Sequence, residues 1–237
     1  MYYSPICFEK YADINLFPKN YPNNNFIDLT NINVQELNKL KYVIILSIHD
    51  PTILNKSLPY IKELTVPFVI ITCASDGAFP DDHSAKESNV HWFGDKGQII
   101  EKLKSNVYFK HWFTVNKTTP NNDKFTSIPY GLDFWAKRTQ PYFGEGPENI
   151  YLQNKTLTDI VSKSIHFSKR IPVSFCNFHF NFTDDRYHGD RRELCKILSN
   201  KVAYFQKSKL PRTQSWIEMS KYSFVISPFG NGMDCIR

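Results

Sequence analysis

The sequence has no Cys-x-x-Cys pair, no Asp-x-Asp pair, no Gly-x-Gly-x-x-Gly after its first apolar run and no long apolar run. Each absence argues against a class. Five cysteines, Cys7, Cys73, Cys176, Cys195 and Cys235, are an odd number without paired spacing, unlike a disulfide framework or a zinc site. Without Asp-x-Asp there is no metal-binding carboxylate pair of the kind some sugar transferases use; the adjacent pairs Asp81-Asp82 and Asp184-Asp185 lie in polar stretches. The missing glycine fingerprint disfavours a small dinucleotide-binding enzyme. The longest apolar runs, Tyr42–Ile48 and Pro67–Thr72, are far too short to span a bilayer. The N-terminus, Met1-Tyr2-Tyr3-Ser4-Pro5, lacks the basic-then-apolar layout of a signal peptide. A cytoplasmic chain without a membrane span is expected. No dense Lys/Arg run accompanies the net charge of +6, and the densest basic spot, Arg186 to Arg192, is interleaved with acids. Nucleic acid is therefore not the expected partner, and a small anionic substrate fits the balance.

What is present is a globular composition: 41% apolar and 22% charged residues, with 19 Phe and 13 Tyr. Asn and Lys are frequent, which reduces the weight of any single one. Tyr42–Ile48 and Phe68–Cys73 are continuous apolar runs of buried-strand type. Helices are expected at about 55–64 and 96–103, and further strands at 90–93, 107–115 and 125–129. A Gly/Pro-rich break spans Pro141 to Pro147. After it the pattern restarts, with helices at about 149–163, 190–198 and 214–220 and strands at 173–180, 202–205 and 223–227. His91 and His111, each beside a Trp in a strand-like stretch, read as structural. Strands alternating with helices imply βαβ units and mostly parallel sheets. The expected organisation is α/β with two domains, 1–145 and 146–237.

The most informative motif is the strand-like Phe224–Ile226 followed by Ser227-Pro228-Phe229-Gly230-Asn231-Gly232-Met233-Asp234-Cys235-Ile236-Arg237. Glycines directly after a parallel strand let the backbone turn tightly and approach a ligand. Backbone N–H groups and the start of a following helix form a phosphate site there, with Asp234 placed to cap and Arg237 to meet a pyrophosphate. This stretch resembles the donor-site signature of exostosin-like glycosyltransferases, in the versions found in large DNA viruses and algae. Two further blocks are similar to that family in the same order. One is Trp112-Phe113-Thr114-Val115-Asn116 with Ile128-Pro129-Tyr130-Gly131-Leu132-Asp133-Phe134. The other is Cys176-Asn177-Phe178 with Arg186 and Arg191-Arg192-Glu193-Leu194. Together they cover the chain from about residue 105 onward.

The resemblance implies a GT-B-like architecture of two Rossmann-like domains and a metal-independent, inverting transfer from a UDP- or GDP-sugar to a glycan or other hydroxyl acceptor. No cofactor is implied beyond the nucleotide-sugar co-substrate. Expected donor-binding residues are Asn177, Arg186, Arg191, Ser227, Pro228, Gly230, Asn231, Gly232, Asp234 and Arg237. Arg191 and Arg192 are neighbours on a helix, so at most one of them faces a cleft. A base is also required near the acceptor hydroxyl, and Asp76 and His49, each following an apolar strand, are the candidates. The sequence stops at Arg237, whereas the family's helix continues to a Glu that would bind ribose or sugar hydroxyls. A truncated C-terminal domain is expected on that basis. The alternative function is a non-catalytic remnant that binds a sugar nucleotide or a partner without turnover.

Overall fold

A computed structural model describes residues 5–17, 28–48, 51–73, 96–115, 123–129, 150–178, 190–199, 201–208 and 210–228. The chain divides into two compact units, Pro5–Tyr130 and a second formed by Gly131–Arg237 with Met1–Ser4. The boundary expected at 145/146 lies outside the described residues.

The first unit carries a five-stranded sheet in the order β1-β2-β3-β4-β5. Its strands are β1 (Ile14–Leu16), β2 (Val43–Ile48), β3 (Phe68–Cys73), β4 (Phe109–Thr114) and β5 (Phe125–Ser127), and every adjacent pair is parallel. The connecting helices are α1 (Val34–Leu37), α2 (Pro51–Lys62) and α3 (Lys96–Lys104). Strands laid side by side in chain order all advance in one direction, so right-handed crossovers put each connecting helix on one face. The main core agrees: Val34 and Leu37 of α1, Ile53, Leu54, Leu58 and Ile61 of α2, and Ile100 and Leu103 of α3 all pack in one cluster. Leu54, Leu58 and Ile61 recur at helical spacing, and burying each contributes about 1.5–3 kcal/mol relative to exposure. On the opposite face Leu46, Ile71, Cys73 and Val115 pack with Phe8 and Ala12 from the 3-10 helix Pro5–Tyr11 and its end.

The register resolves the helix-facing side into rows. Ile14, Ile45, Ile70, Trp112 and Phe125 form an apolar row. Two residues further along each strand, Leu16, Ser47, Thr72, Thr114 and Ser127 form the next. From β2 to β5, this row near the carboxyl edge of the sheet is therefore a line of hydroxyls. Ser47, Thr72 and Thr114 are completely buried. Buried hydroxyls need partners. Trp112 Nε1 donates to Thr72 Oγ1 (2.9 Å), Thr72 Oγ1 donates to Thr114 Oγ1 (2.9 Å), and Thr114 Oγ1 donates to the Val115 carbonyl (3.1 Å). His111 has the structural role expected of it: Nδ1 lies 3.1 Å from the Asp123 carbonyl and Nε2 2.8 Å from Thr126 Oγ1, tying β4 to β5.

The second unit holds a three-stranded parallel sheet in the order β7-β6-β8, with β6 (Ile171–Cys176), β7 (Ala203–Phe205) and β8 (Tyr222–Val225). Its helices are α4 (Ile150–Lys163), α5 (Asp190–Ile197) and α6 (Arg212–Met219). The central strand is the first in sequence. The chain steps from β6 to β7 on one side, then crosses back to place β8 on the other. Right-handed crossovers in opposite directions put α5 and α6 on opposite faces. Cys195 and Leu198 accordingly pack with Cys176, Ala203 and Phe205 on the α5 face, whereas Trp216 of α6 packs with Leu157 and Ile160 of α4. The five-stranded unit has a generic Rossmann-like α/β arrangement, and the second is a smaller parallel α/β unit. Among the described residues, no helix is long and apolar enough to cross a membrane.

Candidate functional site

In open α/β sheets the ligand crevice opens at the carboxyl ends of the strands where the winding direction reverses. Among the described strands the first unit has no reversal. The second has one, between β6 and β8. The site is accordingly sought at the ends of those two strands.

β6 ends at Cys176, four residues before the expected end at residue 180, so Asn177 and Phe178 lie beyond the strand at the start of the crossover. β8 ends at Val225, which leaves Ser227 and Pro228 beyond it. Phe175 pairs with Val225, and Ile226 N–H donates to the Phe175 carbonyl at 3.0 Å. Carried two residues on, that register brings Asn177 level with Ser227. Asn177 is half-buried and its Nδ2 donates to Ser215 Oγ at 2.7 Å. Ser215 lies in the first turn of α6, so this bond ties the end of the central strand to a helix start.

From the other face comes α5. Arg191, its second residue, is 5% exposed, whereas the neighbouring Arg192 is exposed. The expectation that only one of the two turns inward holds, because adjacent helical residues point about 100° apart. The Arg191 guanidinium carbon lies 5.9 Å from the centre of the Phe178 ring, a cation–π contact. Phe178 is itself buried. The aromatic ring thus supports a cation at the end of β6. A third strand-end contact is the Gln206 N–H, which donates to the Cys176 carbonyl at 2.8 Å.

Two thiols lie under this edge. Burial pushes Cys176 up to about 11, with Cys195 beside it adding to the rise. Burial also raises Cys195, partly offset by Lys207. Both remain protonated thiols at neutral pH and are poor nucleophiles. The edge therefore offers amide, hydroxyl and guanidinium groups. These are donors suited to oxygens and negative charge, not to covalent thiol catalysis. No group of three or more His, Cys, Asp or Glu side chains among the described residues could hold a metal ion.

Of the residues expected at the site, the described ones, Asn177, Arg191, Ser227 and Pro228, all belong to this single unit and sit at or beside the β6–β8 edge. Arg186, Gly230, Asn231, Gly232, Asp234 and Arg237 lie outside the described residues, as do both base candidates, Asp76 and His49. Sequence reasoning gave no site role to Phe178, although it lies in a family-like block, and missed Ser215. Ser215 carried a readable signal, since Leu210-Pro211 directly precedes a short amphipathic stretch and marks a helix start. A scan against protein-family models, a search of curated proteins and a search of solved structures each return no match.

Proposed function

We propose that the chain is a GT-B-type glycosyltransferase of the exostosin-like kind. It would take a UDP- or GDP-linked sugar at the β6–β8 edge of the second unit and transfer it to a hydroxyl of a glycan acceptor. The observation that carries the reading is the coincidence of two independent arguments. Strand order alone selects the ends of β6 and β8, and those ends bear Asn177 and Ser227-Pro228 from two of the three family-like blocks. In the transfer, the acceptor oxygen attacks the anomeric carbon and the bond from that carbon to the phosphate oxygen breaks. The acceptor proton passes to a base, and the nucleoside diphosphate leaves with its negative charge. Arg191 and the starts of α5 and α6 are suited to stabilise that charge. The base candidates from the sequence remain Asp76 and His49.

Calorimetric titration of the purified chain with UDP, GDP and their sugar conjugates tests the first half of this reading. Saturable heat is expected for one nucleotide series, with Arg191→Ala weakening it about tenfold or more, as loss of a charge-assisted hydrogen bond does. Donor turnover with a panel of glycan acceptors tests the second half. Binding without turnover would favour a non-catalytic sugar-nucleotide-binding domain. No heat with either series at millimolar nucleotide would sink both.

A further inference from the structure

The connection from α4 to β6 is a turn held by its own hydrogen bonds. Ser164 N–H donates to the Val161 carbonyl (3.1 Å), Lys169 N–H to the His166 carbonyl (2.9 Å) and Arg170 N–H to the Phe167 carbonyl (3.1 Å). Arg170 Nε donates to the Ile165 carbonyl at 3.1 Å. This bonded turn presents apolar side chains to water. Phe167 is 55% exposed and meets Phe224 of β8, itself 59% exposed, edge to face with ring centres 6.0 Å apart. Ile165 and Ile171, on either side of Phe167 in sequence, are exposed as well. Ile171 N–H donates to the Lys221 carbonyl at 2.9 Å, which fixes the end of the turn against the start of β8. Single exposed apolar residues are ordinary on a protein surface, but a group of them on one turn and the strand beside it marks an interaction surface.

The same turn is cationic. Residues 163–171 contain Lys163, Lys169 and Arg170 and no Asp or Glu, and residues 219–233 contain no acid either. Lys39, Lys104, Lys196 and Lys221 each pair with a Glu three residues before them. Among the described residues, Lys163, Lys169 and Arg170 form no ion pair. Asp159, one turn before Lys163 on α4, does not bond to it, and Glu218 is taken by Lys221 at 2.6 Å. Exposed aromatic and aliphatic groups beside uncompensated cations complement the boundary between anionic headgroups and acyl chains. Single-stranded nucleic acid fits less well, because bases stack on rings and Ile165 and Ile171 offer none.

We infer that this turn, together with Phe224, is a peripheral membrane-binding surface for bilayers that carry anionic lipid. Ile165 and Phe167 enter the headgroup boundary, and Lys163, Lys169 and Arg170 meet the lipid phosphates and carboxylates. The surface lies around the amino ends of β6 and β8, whose first residues are Ile171 and Tyr222. The edge proposed for the nucleotide is at their carboxyl ends, so a bilayer and a nucleotide do not compete for the same groups. The inference does not rest on sugar transfer.

The test is flotation of the full chain with vesicles of phosphatidylcholine alone and of equimolar phosphatidylcholine and phosphatidylserine. Variants are Phe167→Ser, Phe167→Trp, Lys169→Gln and, as a control on an exposed cation of α2 in the first unit, Lys62→Gln. Each is checked for native circular dichroism. The parent is expected to float with the acidic vesicles and to release as salt rises. Phe167→Ser should weaken binding about tenfold and Lys169→Gln about fivefold. Phe167→Trp keeps a ring against Phe224 and should bind more tightly, because indole favours the membrane interface. Lys62→Gln should bind as the parent does. No flotation with acidic vesicles at low salt would overturn the inference. Equal weakening by Lys62→Gln and Lys169→Gln would also overturn it, since net charge alone would then explain the binding. So would binding of a short single-stranded RNA, sensitive to Phe167→Ser, without any binding to vesicles, which would make the turn a nucleic-acid surface instead.

Discussion

Thr72 sits where β2, β3 and β4 end, accepting from the indole of Trp112 and donating to Thr114. Valine at this position keeps the shape and removes both bonds inside a fully buried row. The expected cost of Thr72→Val is about 1–3 kcal/mol, because a buried donor loses its acceptor and cannot turn to water. Urea denaturation followed by circular dichroism measures it, and an unchanged midpoint would show that the row contributes nothing. The row was partly visible beforehand: the strand-like runs of the first unit carry Ser or Thr within two residues of their ends, at 47, 72, 114 and 127. Seeing that these hydroxyls stand side by side required the register, which no single strand encodes. The frequent asparagines show the opposite failure. Discounted one by one as compositional, several do specific work. Asn33 accepts from the Glu36 N–H to cap α1 (3.2 Å), and Asn106 accepts from the Tyr108 N–H ahead of β4 (2.8 Å). Asn38 donates to the Glu63 carbonyl and accepts from the Thr65 N–H, joining the end of α1 to the turn after α2. Side-chain capping depends on where the backbone turns, and composition does not hold that information.

At the scale of elements, buried parallel strands were the most legible because continuous β-branched and aromatic runs leave little alternative. Phe68–Cys73 is found at its expected bounds, and Tyr42–Ile48 loses one residue. Helix α2 runs over Pro51–Lys62 instead of the expected 55–64. Pro51 opens the helix, because proline fits the first helical position, where its N–H would have no partner. Pro59 inside the same helix shows tertiary packing overriding propensity. Strand β1, helix α1 and the opening 3-10 helix were not anticipated, since elements of three to seven residues are too short for a clear periodic signal. What holds α2 in spite of its internal proline is its apolar stripe. Leu54 is fully buried on that stripe, so Leu54→Ala is expected to cost about 2–5 kcal/mol through lost burial and the cavity left behind. A thermal or denaturant midpoint that barely moves would mean that α2 is not a structural member of the core.

For the whole molecule, the two sheets differ in one topological respect with functional weight. Among the described strands, the first is wound in a single direction, so its helices gather on one face. The second reverses, so its helices divide between the faces, and the ends of β6 and β8 are where open α/β sheets of this kind place a ligand. Sequence motifs pointed to Asn177, Arg191 and Ser227 by resemblance, and the reversal points to the same edge by geometry. Neither argument needs the other. The remaining site residues were not legible as a group because their proximity depends on strand order, which local patterns do not specify. The consequence is measurable without knowing the sugar. A ligand that binds only the folded state stabilises what it touches, by about 2.7 kcal/mol at a hundred times its dissociation constant. Hydrogen exchange of the full chain, with and without saturating nucleoside diphosphate, should therefore slow at residues 175–178, in the first turns of α5 and α6, and at the end of β8. Exchange in β2 and β3 should change least. Protection concentrated at the hydroxyl row of the first sheet, with none at the end of β6, would place the nucleotide in the wrong unit for the proposed mechanism. The anion-binding role of Arg191 would then have to be abandoned, whatever the resemblance of the motifs.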